Sequence, residues 1–204
     1  MMTRCIVLAT ENRHKGEEIR SILRESGRQL TVRTLADYPG LTLPPETGET
    51  YRENAAGKAT FVAQATGEWA MGDDSGLEVD ALNGAPGLYS ARFAGIGASY
   101  ADNRKKLLEG LSGLPDEKRT ACFICTVALA GDAGRIDIVE GRCPGRITQT
   151  ESGAGGFGYD PIFFLPERGK TFAEMSAAEK NRIGHRGQAV RAALAILHAM
   201  QTGQ

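Results

Sequence analysis

The chain contains 204 residues, with 24 Lys and Arg against 25 Asp and Glu and a formal net charge of −1 at pH 7. This length suits one domain or one two-lobed unit, and a hydrophobic share of 41% is enough for a substantial core. The near-neutral balance, without a long basic run, disfavours a nucleic-acid groove and an anionic membrane surface. We therefore expect no nucleic-acid partner and no membrane partner.

The first residues and the cysteines indicate the compartment. The apolar run in MMTRCIVLAT is five residues long, which is too short for a signal peptide and typical of a first strand. Cys122 and Cys125 form a CxxC inside a strand-like run, without a second ligand pair nearby in the sequence. This context favours reduced, structural cysteines over a zinc or redox site. We expect a cytoplasmic protein.

Hydrophobic periodicity predicts an α/β domain with a mixed sheet. A helix over about 16–26 follows the first strand, and a Pro- and Gly-rich loop over 37–49 precedes a second helix. Thr50 and Glu53 have the spacing of a capping box for that helix, which we predict to end near Thr66. The other predicted elements, in chain order, are strands over 4–10, 30–35 and 68–72, a helix over about 99–111, an antiparallel strand pair over 119–130 and 134–141, a strand over 161–165, and a helix over about 182–201.

The first polar cluster, TENRHK from Thr10 to Lys15, lies between the first strand and the first helix. A strand-to-helix turn presents backbone N–H groups and the positive end of the helix, which suits a phosphate. Asn12 and Lys15 would add an amide and an ammonium group. The pattern differs from a P-loop, and an ordinary polar turn is the alternative interpretation.

The second cluster is ETGETYRENAAGKA, in which Glu46, Glu53 and Lys58 are charged. Glu46, Glu49 and Glu53 could supply carboxylates, and Lys58 lies near the start of the same predicted helix. The alternatives are a helix cap for Glu53 and a solvated helix face for Lys58.

The third cluster places Asp73 and Asp74 directly after a short predicted strand, followed by Ser75. Paired carboxylates suit Mg²⁺, which prefers oxygen ligands and is often shared with substrate phosphates. The alternative is an Asx-turn in which Asp74 or Ser75 shapes the bend. The residues by themselves leave these two interpretations balanced.

The fourth cluster combines GAGGFGYDPIF with EKNRIGHRGQA, which begins about twenty residues later. The first segment supplies aromatic faces and an acceptor, and the second supplies donors from a loop before the last helix. Aromatic stacking with convergent donors is one way to hold a purine base. The alternative is two core aromatics and an ordinary basic helix start.

Together these segments resemble the inosine triphosphate pyrophosphatase family, which includes the dITP/XTP pyrophosphatases. The resemblance covers nearly the whole chain through LATENRHKGEE, ETGETYRENAAGKA, DDSGLEVDALNGAPGLYSARFAG, GGFGYDPIF and EKNRIGHRGQA. It implies an α/β fold with an elongated central mixed β-sheet, flanking helices that form two lobes, and a cleft between the lobes. It also implies one two-lobed domain over 1–204, a homodimer, and Mg²⁺-dependent hydrolysis of ITP, dITP and XTP to the monophosphate and pyrophosphate.

The resemblance also implies residue roles. Asp74 matches the catalytic base and a metal ligand, and Glu46 is the second expected metal ligand. Lys15 and Lys58 match phosphate contacts, and the base contacts fall in the fourth cluster. The full set of implied substrate contacts is Thr10, Glu11, Asn12, Arg13, His14, Lys15, Lys58, Ser75, Phe157, Gly158, Tyr159, Asp160, Lys180, His185 and Arg186.

Three positions depart from the family pattern. His14 stands where Gly is frequent, and Gly184 stands where Ser is common before His185. Pro45 stands where some members have Glu, so Glu46 is the metal ligand that we assign. His14 could change the backbone of the loop, and Gly184 removes a hydroxyl contact to the base.

The expected mechanism is positioning with charge neutralisation. Asp74, or its neighbour Asp73, would orient water for attack on the α-phosphorus, and Arg186 would donate to the 6-oxo group that separates hypoxanthine and xanthine from adenine. The alternatives are a related nucleotidase with another base preference and a nucleotide-binding regulatory module without catalysis. Pyrophosphate release from ITP distinguishes an enzyme from a regulatory module that only binds the nucleotide.

Overall fold

The structure is a computed structural model that describes residues 4–131 and 134–202. Within those residues it is an α/β fold with eight strands in one mixed sheet and five α-helices, which confirms the predicted fold class. The strands are β1 (Arg4–Ala9), β2 (Leu30–Thr34), β3 (Trp69–Val79), β4 (Pro86–Gly87), β5 (Thr120–Ala130), β6 (Ile136–Ile147), β7 (Phe163–Leu165) and β8 (Lys170–Thr171). The helices are α1 (Arg13–Glu25), α2 (Tyr51–Thr66), α3 (Tyr100–Gly110), α4 (Ala177–Ile183) and α5 (His185–Thr202).

The sheet has the strand order β2-β1-β3-β5-β6-β7-β8, and β4 pairs with β3. Strand β1 is parallel to β2 and to β3. Strand β7 is antiparallel to β6 and to β8, so the sheet is mixed. The predicted turn between 119–130 and 134–141 falls on residues 132–133, which lie outside the described residues.

The chain divides into two compact units, which we describe separately. The first unit consists of Met1–Asp74, Cys125–Gly141 and Arg186–Gln204, and the second consists of Ser75–Ile124 and Arg142–His185. The first has a core that includes α1, α5 and central strands, with Ile6, Leu8, Ile19, Leu23, Val190 and Leu194 buried. The second has a core that includes Leu77, Val79, Leu107, Phe123, Phe163 and Phe172. The organisation as one domain over 1–204 stays a prediction.

The helix caps explain where the predicted helices begin. Helix α1 starts three residues before the predicted position because Asn12 caps it, and the side chain of Asn12 accepts from the Lys15 N–H at 3.2 Å. Helix α2 has the predicted bounds, and Thr50 Oγ1 accepts from the Glu53 N–H at 3.1 Å. The Glu53 carboxylate accepts from the Glu49 N–H at 2.7 Å, so it ties down the preceding loop.

The predicted strand over 68–72 is present as β3, but its predicted end is wrong, because β3 continues to Val79 and carries Asp73 and Asp74 in its middle. The alternative in which Asp74 or Ser75 shapes a turn is wrong for the same reason. Strand β3 is buried along nearly all of its length. Carboxylates persist there because positive partners offset the desolvation that burial imposes.

The predicted helix over 182–201 is also wrong at its start. Helix α4 begins after the Ser176 cap and ends before Gly184, and α5 begins at His185. Lys180 therefore lies on a helix, although the sequence predicts a loop. A Cβ at Gly184 would lie 2.7 Å from the Lys180 carbonyl oxygen, which explains why glycine suits the break between the helices.

The predicted strand over 161–165 is shorter than expected, since residues 160–162 form a 3₁₀ turn before β7. Cys122 and Cys125 lie in β5, as the strand-like pattern predicts. Across the described ranges 4–131 and 134–202, no helix combines the length with the apolar character that crossing a membrane requires.

Candidate active site

The parallel pairing of β1 with β3 positions the first polar cluster. Ala9 pairs with Gly72, so the chain leaves β1 at Thr10 alongside the stretch of β3 that reaches Asp73. Thr10 Oγ1 accepts from the Asn12 N–H at 3.3 Å, which folds the turn before α1. The register therefore brings Lys15, in the first turn of α1, to the aspartates.

The packing of α2 on β3 positions the second cluster. A Cβ at Gly72 would lie 2.9 Å from the Ala59 backbone nitrogen, so the helix approaches too closely for any side chain there. Residues four apart on a helix share a face, and Asn54 and Lys58 are both buried. That shared face delivers an amide and an ammonium group to β3.

Asp73 is fully buried and lies between two cations. Its Oδ2 is 3.1 Å from Lys15 Nζ and 3.6 Å from Arg186 Nε. Burial by itself raises the pKa of Asp73, but Lys15, Arg186 and Lys58 together lower it to about 2. Asp73 is therefore an ionised counter-charge that holds the cations in place.

Asp74 is 7% exposed and has a different environment. Its Oδ2 accepts a hydrogen bond of 3.0 Å from Asn54 Nδ2. Burial and the nearby Glu46 carboxylate raise the pKa of Asp74, although Lys15 and Lys58 oppose the shift. A raised pKa strengthens a carboxylate as a proton acceptor, so the two adjacent aspartates are chemically distinct.

Glu46 and Lys58 form an ion pair of 2.5 Å between Oε1 and Nζ. Lys58 is buried, and burial by itself lowers its pKa, but Asp73 and Glu46 raise the pKa above its ordinary value. Lys58 is therefore a permanent positive charge at neutral pH. We call Lys15, Glu46, Lys58, Asp73, Asp74 and Arg186 the charged cluster.

The donor set at the charged cluster fits a hard divalent cation. Glu46 and Asp74 supply carboxylate oxygens close enough for Glu46 to raise the pKa of Asp74. Among residues 4–131 and 134–202, no group of three or more His, Cys, Asp and Glu could hold a metal ion. Two carboxylates without a third protein ligand, as Glu46 and Asp74 provide, would still suit Mg²⁺. This ion takes one or two carboxylates and completes its shell with water and substrate phosphates.

Helix α1 orients Arg186, with which the C-terminal segment of the first unit begins. Arg186 Nη1 donates to Glu18 Oε2, and both groups are largely buried. Because Glu18 lies three residues after Lys15, one face of α1 carries both the lysine and the carboxylate that fixes the arginine.

The fourth cluster lies in the second unit as far as His185, and its residues from Arg186 onward belong to the first unit. Asp160 Oδ2 accepts from the Phe157 N–H at 2.8 Å and lies 2.5 Å from Lys180 Nζ. Lys180 Nζ also lies 4.8 Å from the centre of the Phe157 ring and 5.5 Å from that of Phe172. Asp160 therefore fixes both the backbone of the glycine-rich segment and the lysine.

His185 completes this group by stacking on Phe123, with ring centres 4.6 Å apart and planes 7° apart. Burial raises the pKa of Tyr159, whose hydroxyl donates to the Ser90 carbonyl oxygen at 2.9 Å. The carbonyl of Gly158 accepts from Arg104 Nη1 at 2.9 Å. We call Phe123, Phe157, Asp160, Phe172, Lys180 and His185 the aromatic cluster.

Several residues implied by the resemblance lie outside both clusters. Arg13 is exposed and pairs with Glu17, with 2.9 Å between Nε and Oε1. The His14 side chain is exposed, and Glu11 Oε1 accepts from the Leu43 N–H at 3.4 Å. Ser75 is half-buried in β3.

Sequence reasoning missed Asn54, Glu18 and Phe123. Helical spacing could have found the first two, since Asn54 lies four residues before Lys58 and Glu18 lies three after Lys15. No local pattern pairs Phe123 with His185, because the two are far apart in the chain.

Comparisons with known proteins show similarity over nearly the whole chain. The Ham1 family model matches residues 6–196. The dITP/XTP pyrophosphatase of Desulforamulus reducens is 47% identical over 199 residues, with 98% of each chain covered. That of Geobacter sulfurreducens is 47% identical, with 93% of this chain and 94% of the relative covered.

Solved structures show the same fold. The HAM1 protein from Coxiella burnetii matches with a TM-score of 0.86 and 39% identity, covering 96% of this chain and 99% of the other. The nucleoside-triphosphatase, or dITP/XTP pyrophosphatase, from Mycobacterium abscessus matches with a TM-score of 0.74 and 41% identity, covering 95% and 99%. These similarities confirm the family resemblance of the sequence motifs.

Proposed function

The chain belongs to the Ham1 family, and from that premise we propose that it hydrolyses ITP, dITP and XTP to the nucleoside monophosphate and pyrophosphate. The observation that carries the proposal is the charged cluster, in which half-buried Lys15 and the buried Lys58 and Arg186 neutralise Asp73 beside a second, less neutralised carboxylate, Asp74. The activity of relatives that are 47% identical over nearly the full length supports the same conclusion.

In this proposal the first unit binds the triphosphate. Lys15 and Lys58 neutralise phosphate charge, and Thr10 and Asn12 shape the turn that leads into α1. We assign Arg13 and His14 to contacts through the backbone, because their side chains are exposed and the first-turn N–H groups of a helix lie outside the intrahelical ladder. Glu11, which precedes the cap Asn12, is assigned a contact from the family resemblance alone.

Asp74 is the proposed general base. It removes a proton from water as the water oxygen bonds to the α-phosphorus, the bond from that phosphorus to the α–β bridging oxygen breaks, and pyrophosphate leaves with that oxygen. Asn54 orients the carboxylate that accepts the proton, and the raised pKa of Asp74 matches the task. Mg²⁺, which Glu46 and Asp74 would hold, supplies charge neutralisation to the phosphates when bound.

The second unit is proposed to recognise the purine. Phe157 and Tyr159 belong to the segment that Asp160 fixes, and Lys180 presents a cation beside the Phe157 ring. Gly158 and Ser75 complete the assigned contacts in this unit. His185, which stacks on Phe123, is a proposed donor to the 6-oxo group of hypoxanthine or xanthine, where adenine presents an amino group. Arg186 of the first unit, which Glu18 orients, is the second proposed donor.

We also propose that the protein is a homodimer, on the strength of its family resemblance. Light scattering on the eluting peak of a size-exclusion column gives the molar mass directly. A mass of twice the 21.8 kDa chain is expected, and a monomer mass at micromolar concentration would contradict the proposal.

The proposed activity is tested by assaying pyrophosphate release from ITP, dITP, XTP, ATP and GTP, each with Mg²⁺ and with EDTA. We expect release from the first three with Mg²⁺ and little from ATP, because a donor that adenine leaves unpaired in a buried site costs about 1–3 kcal/mol. Guanine shares the 6-oxo group, so the rate with GTP reports on discrimination at the 2-position. Binding without release would favour a regulatory module, and equal rates on ATP would indicate another base preference.

A further inference from the structure

Asn54 makes two side-chain hydrogen bonds that join separate parts of the charged cluster. Its Nδ2 donates to Asp74 Oδ2 at 3.0 Å, and its Oδ1 accepts from the Gly48 N–H at 2.9 Å. Gly48 lies two residues after Glu46. One buried amide therefore connects the proposed base with the loop that carries the second carboxylate.

The orientation of this amide follows from the chemistry of its partners. An ionised carboxylate only accepts and a backbone N–H only donates, so Nδ2 must face Asp74 and Oδ1 must face Gly48. The backbone of Asn54 is fixed as well, because its N–H donates to the Thr50 carbonyl at 3.2 Å in the first turn of α2.

Gly48 permits this contact. A Cβ at position 48 would lie 2.6 Å from Asn54 Oδ1 and 2.7 Å from Glu53 Cβ. The loop thus approaches the start of α2 more closely than any other residue type would allow, and its position depends on the amide that it contacts.

We propose that Asn54 is a positioning residue that sets the carboxylate of Asp74 and the Glu46 loop in one common orientation. This inference rests on the proposed function and deepens it. Through Nδ2 the amide fixes one oxygen of Asp74. Through Oδ1 it fixes the backbone near Glu46, so that the two carboxylates can act on the same ion and the same water.

Two variants separate the two contacts. Asn54→Leu removes both hydrogen bonds with little change in volume. Asn54→Asp keeps an acceptor for the Gly48 N–H but replaces the donor to Asp74 with another carboxylate oxygen. An aspartate in the first turns of a helix is also compatible with the helix dipole.

Asn103 provides a matched control in the second unit. Like Asn54, it is buried and is the fourth residue of its helix. Its Oδ1 accepts from the Ala94 N–H at 2.7 Å and its Nδ2 donates to the Ala91 carbonyl at 3.1 Å. Asn103→Leu therefore loses the same kinds of bond without touching a proposed catalytic group.

The first measurement is Mn²⁺ binding to the nucleotide-free protein by electron paramagnetic resonance. The second is kcat and KM for ITP at saturating Mg²⁺. Groups that orient metal ligands typically contribute about 10–100-fold. We expect Asn54→Leu to lose Mn²⁺ affinity by that factor. We expect both Asn54 variants to lose kcat by that factor, with KM for ITP changed about threefold at most. Asn103→Leu should keep the wild-type Mn²⁺ affinity and kcat, even if its thermal stability is as low as that of Asn54→Leu or lower.

Amide hydrogen exchange provides a third readout. The Gly48 N–H should exchange faster in Asn54→Leu and stay protected in Asn54→Asp. Wild-type Mn²⁺ affinity and kcat in Asn54→Leu would overturn the inference, as would wild-type kcat in Asn54→Asp. If the wild-type protein itself releases no pyrophosphate, the proposed function fails, and Mn²⁺ affinity still decides the role of Asn54.

Discussion

The charged cluster of the first unit and the aromatic cluster of the second hold their polar groups by different means. In the charged cluster, Asp73 lies within 3.6 Å of two cations, so each buried charge depends on the others. In the aromatic cluster, one ion pair between Asp160 and Lys180 lies against aromatic rings. Removing Asp73 therefore takes counter-charge from two cations at once, whereas removing Asp160 takes it from one, Lys180, which keeps its contacts with two aromatic rings.

The largest expected effect is on catalysis by the charged cluster. Asp74→Asn should lower kcat for ITP by about 10²–10⁴-fold, the usual contribution of a general base. Folding should be retained, since an asparagine oxygen can still accept from Asn54. Steady-state kinetics and thermal unfolding measure the two effects.

The matched control is Asp80→Asn, which changes an exposed carboxylate just after β3 that accepts from Thr120. Its kcat should equal that of the wild-type protein. A kcat for Asp74→Asn within tenfold of wild type would remove Asp74 from the role of base.

The next effect is on stability and tests the mutual dependence of the charges. Asp73→Asn should lower the free energy of unfolding by about 3–5 kcal/mol, because Lys15 and Arg186 lose a buried counter-charge. Asp160→Asn should cost less. Its asparagine still accepts from the Phe157 N–H, and Lys180 keeps its aromatic neighbours.

Urea unfolding of both variants measures the difference. Equal losses would show that the two clusters tolerate charge removal alike, contrary to the comparison above.

The dependence of the free energy of unfolding on acid pH also tests whether Asp73 is an ionised counter-charge. The folded pKa of Asp73, about 2, lies below its ordinary value of 3.8. The stabilisation from its ionised form is therefore complete above pH 3.8 and is lost as the pH falls through about 2, a change of roughly 2 kcal/mol at 1.4 kcal/mol per unit.

Stability measured at several pH values between 5 and 2 should fall more steeply in the wild-type protein than in Asp73→Asn. Parallel curves for the two proteins would contradict the assignment of Asp73 as an ionised counter-charge.

The smallest effect is expected from the aromatic cluster. Phe123→Leu removes the ring that stacks on His185, and such contacts contribute about 0.5–1.5 kcal/mol. KM for ITP should rise about 2–10-fold while kcat stays near wild type. Phe164→Leu is the control, because Phe164 stacks with Arg146 outside the cluster. A fall in kcat without a change in KM would place Phe123 in catalysis.

Much of the fold follows from local pattern. The Thr50 cap marks the start of α2, and the apolar runs mark most strands. The failures at Asp73 and Asp74 and at Gly184 share a cause. Polar or flexible residues usually end an element, but tertiary partners here extend β3 through two carboxylates and place Lys180 on a separate helix.

The sequence by itself determined the fold class, the four polar clusters and their order, because periodicity, caps and motif spacing are properties of neighbouring residues. The tertiary structure alone decided how the two aspartates differ. Asp73 became a counter-charge because Lys15 and Arg186 converge on it. Asp74 retains a raised pKa because burial and Glu46 outweigh Lys15 and Lys58, while Asn54 orients its carboxylate. These partners come from distant parts of the chain, and the energy of a buried charge depends on what surrounds it in space.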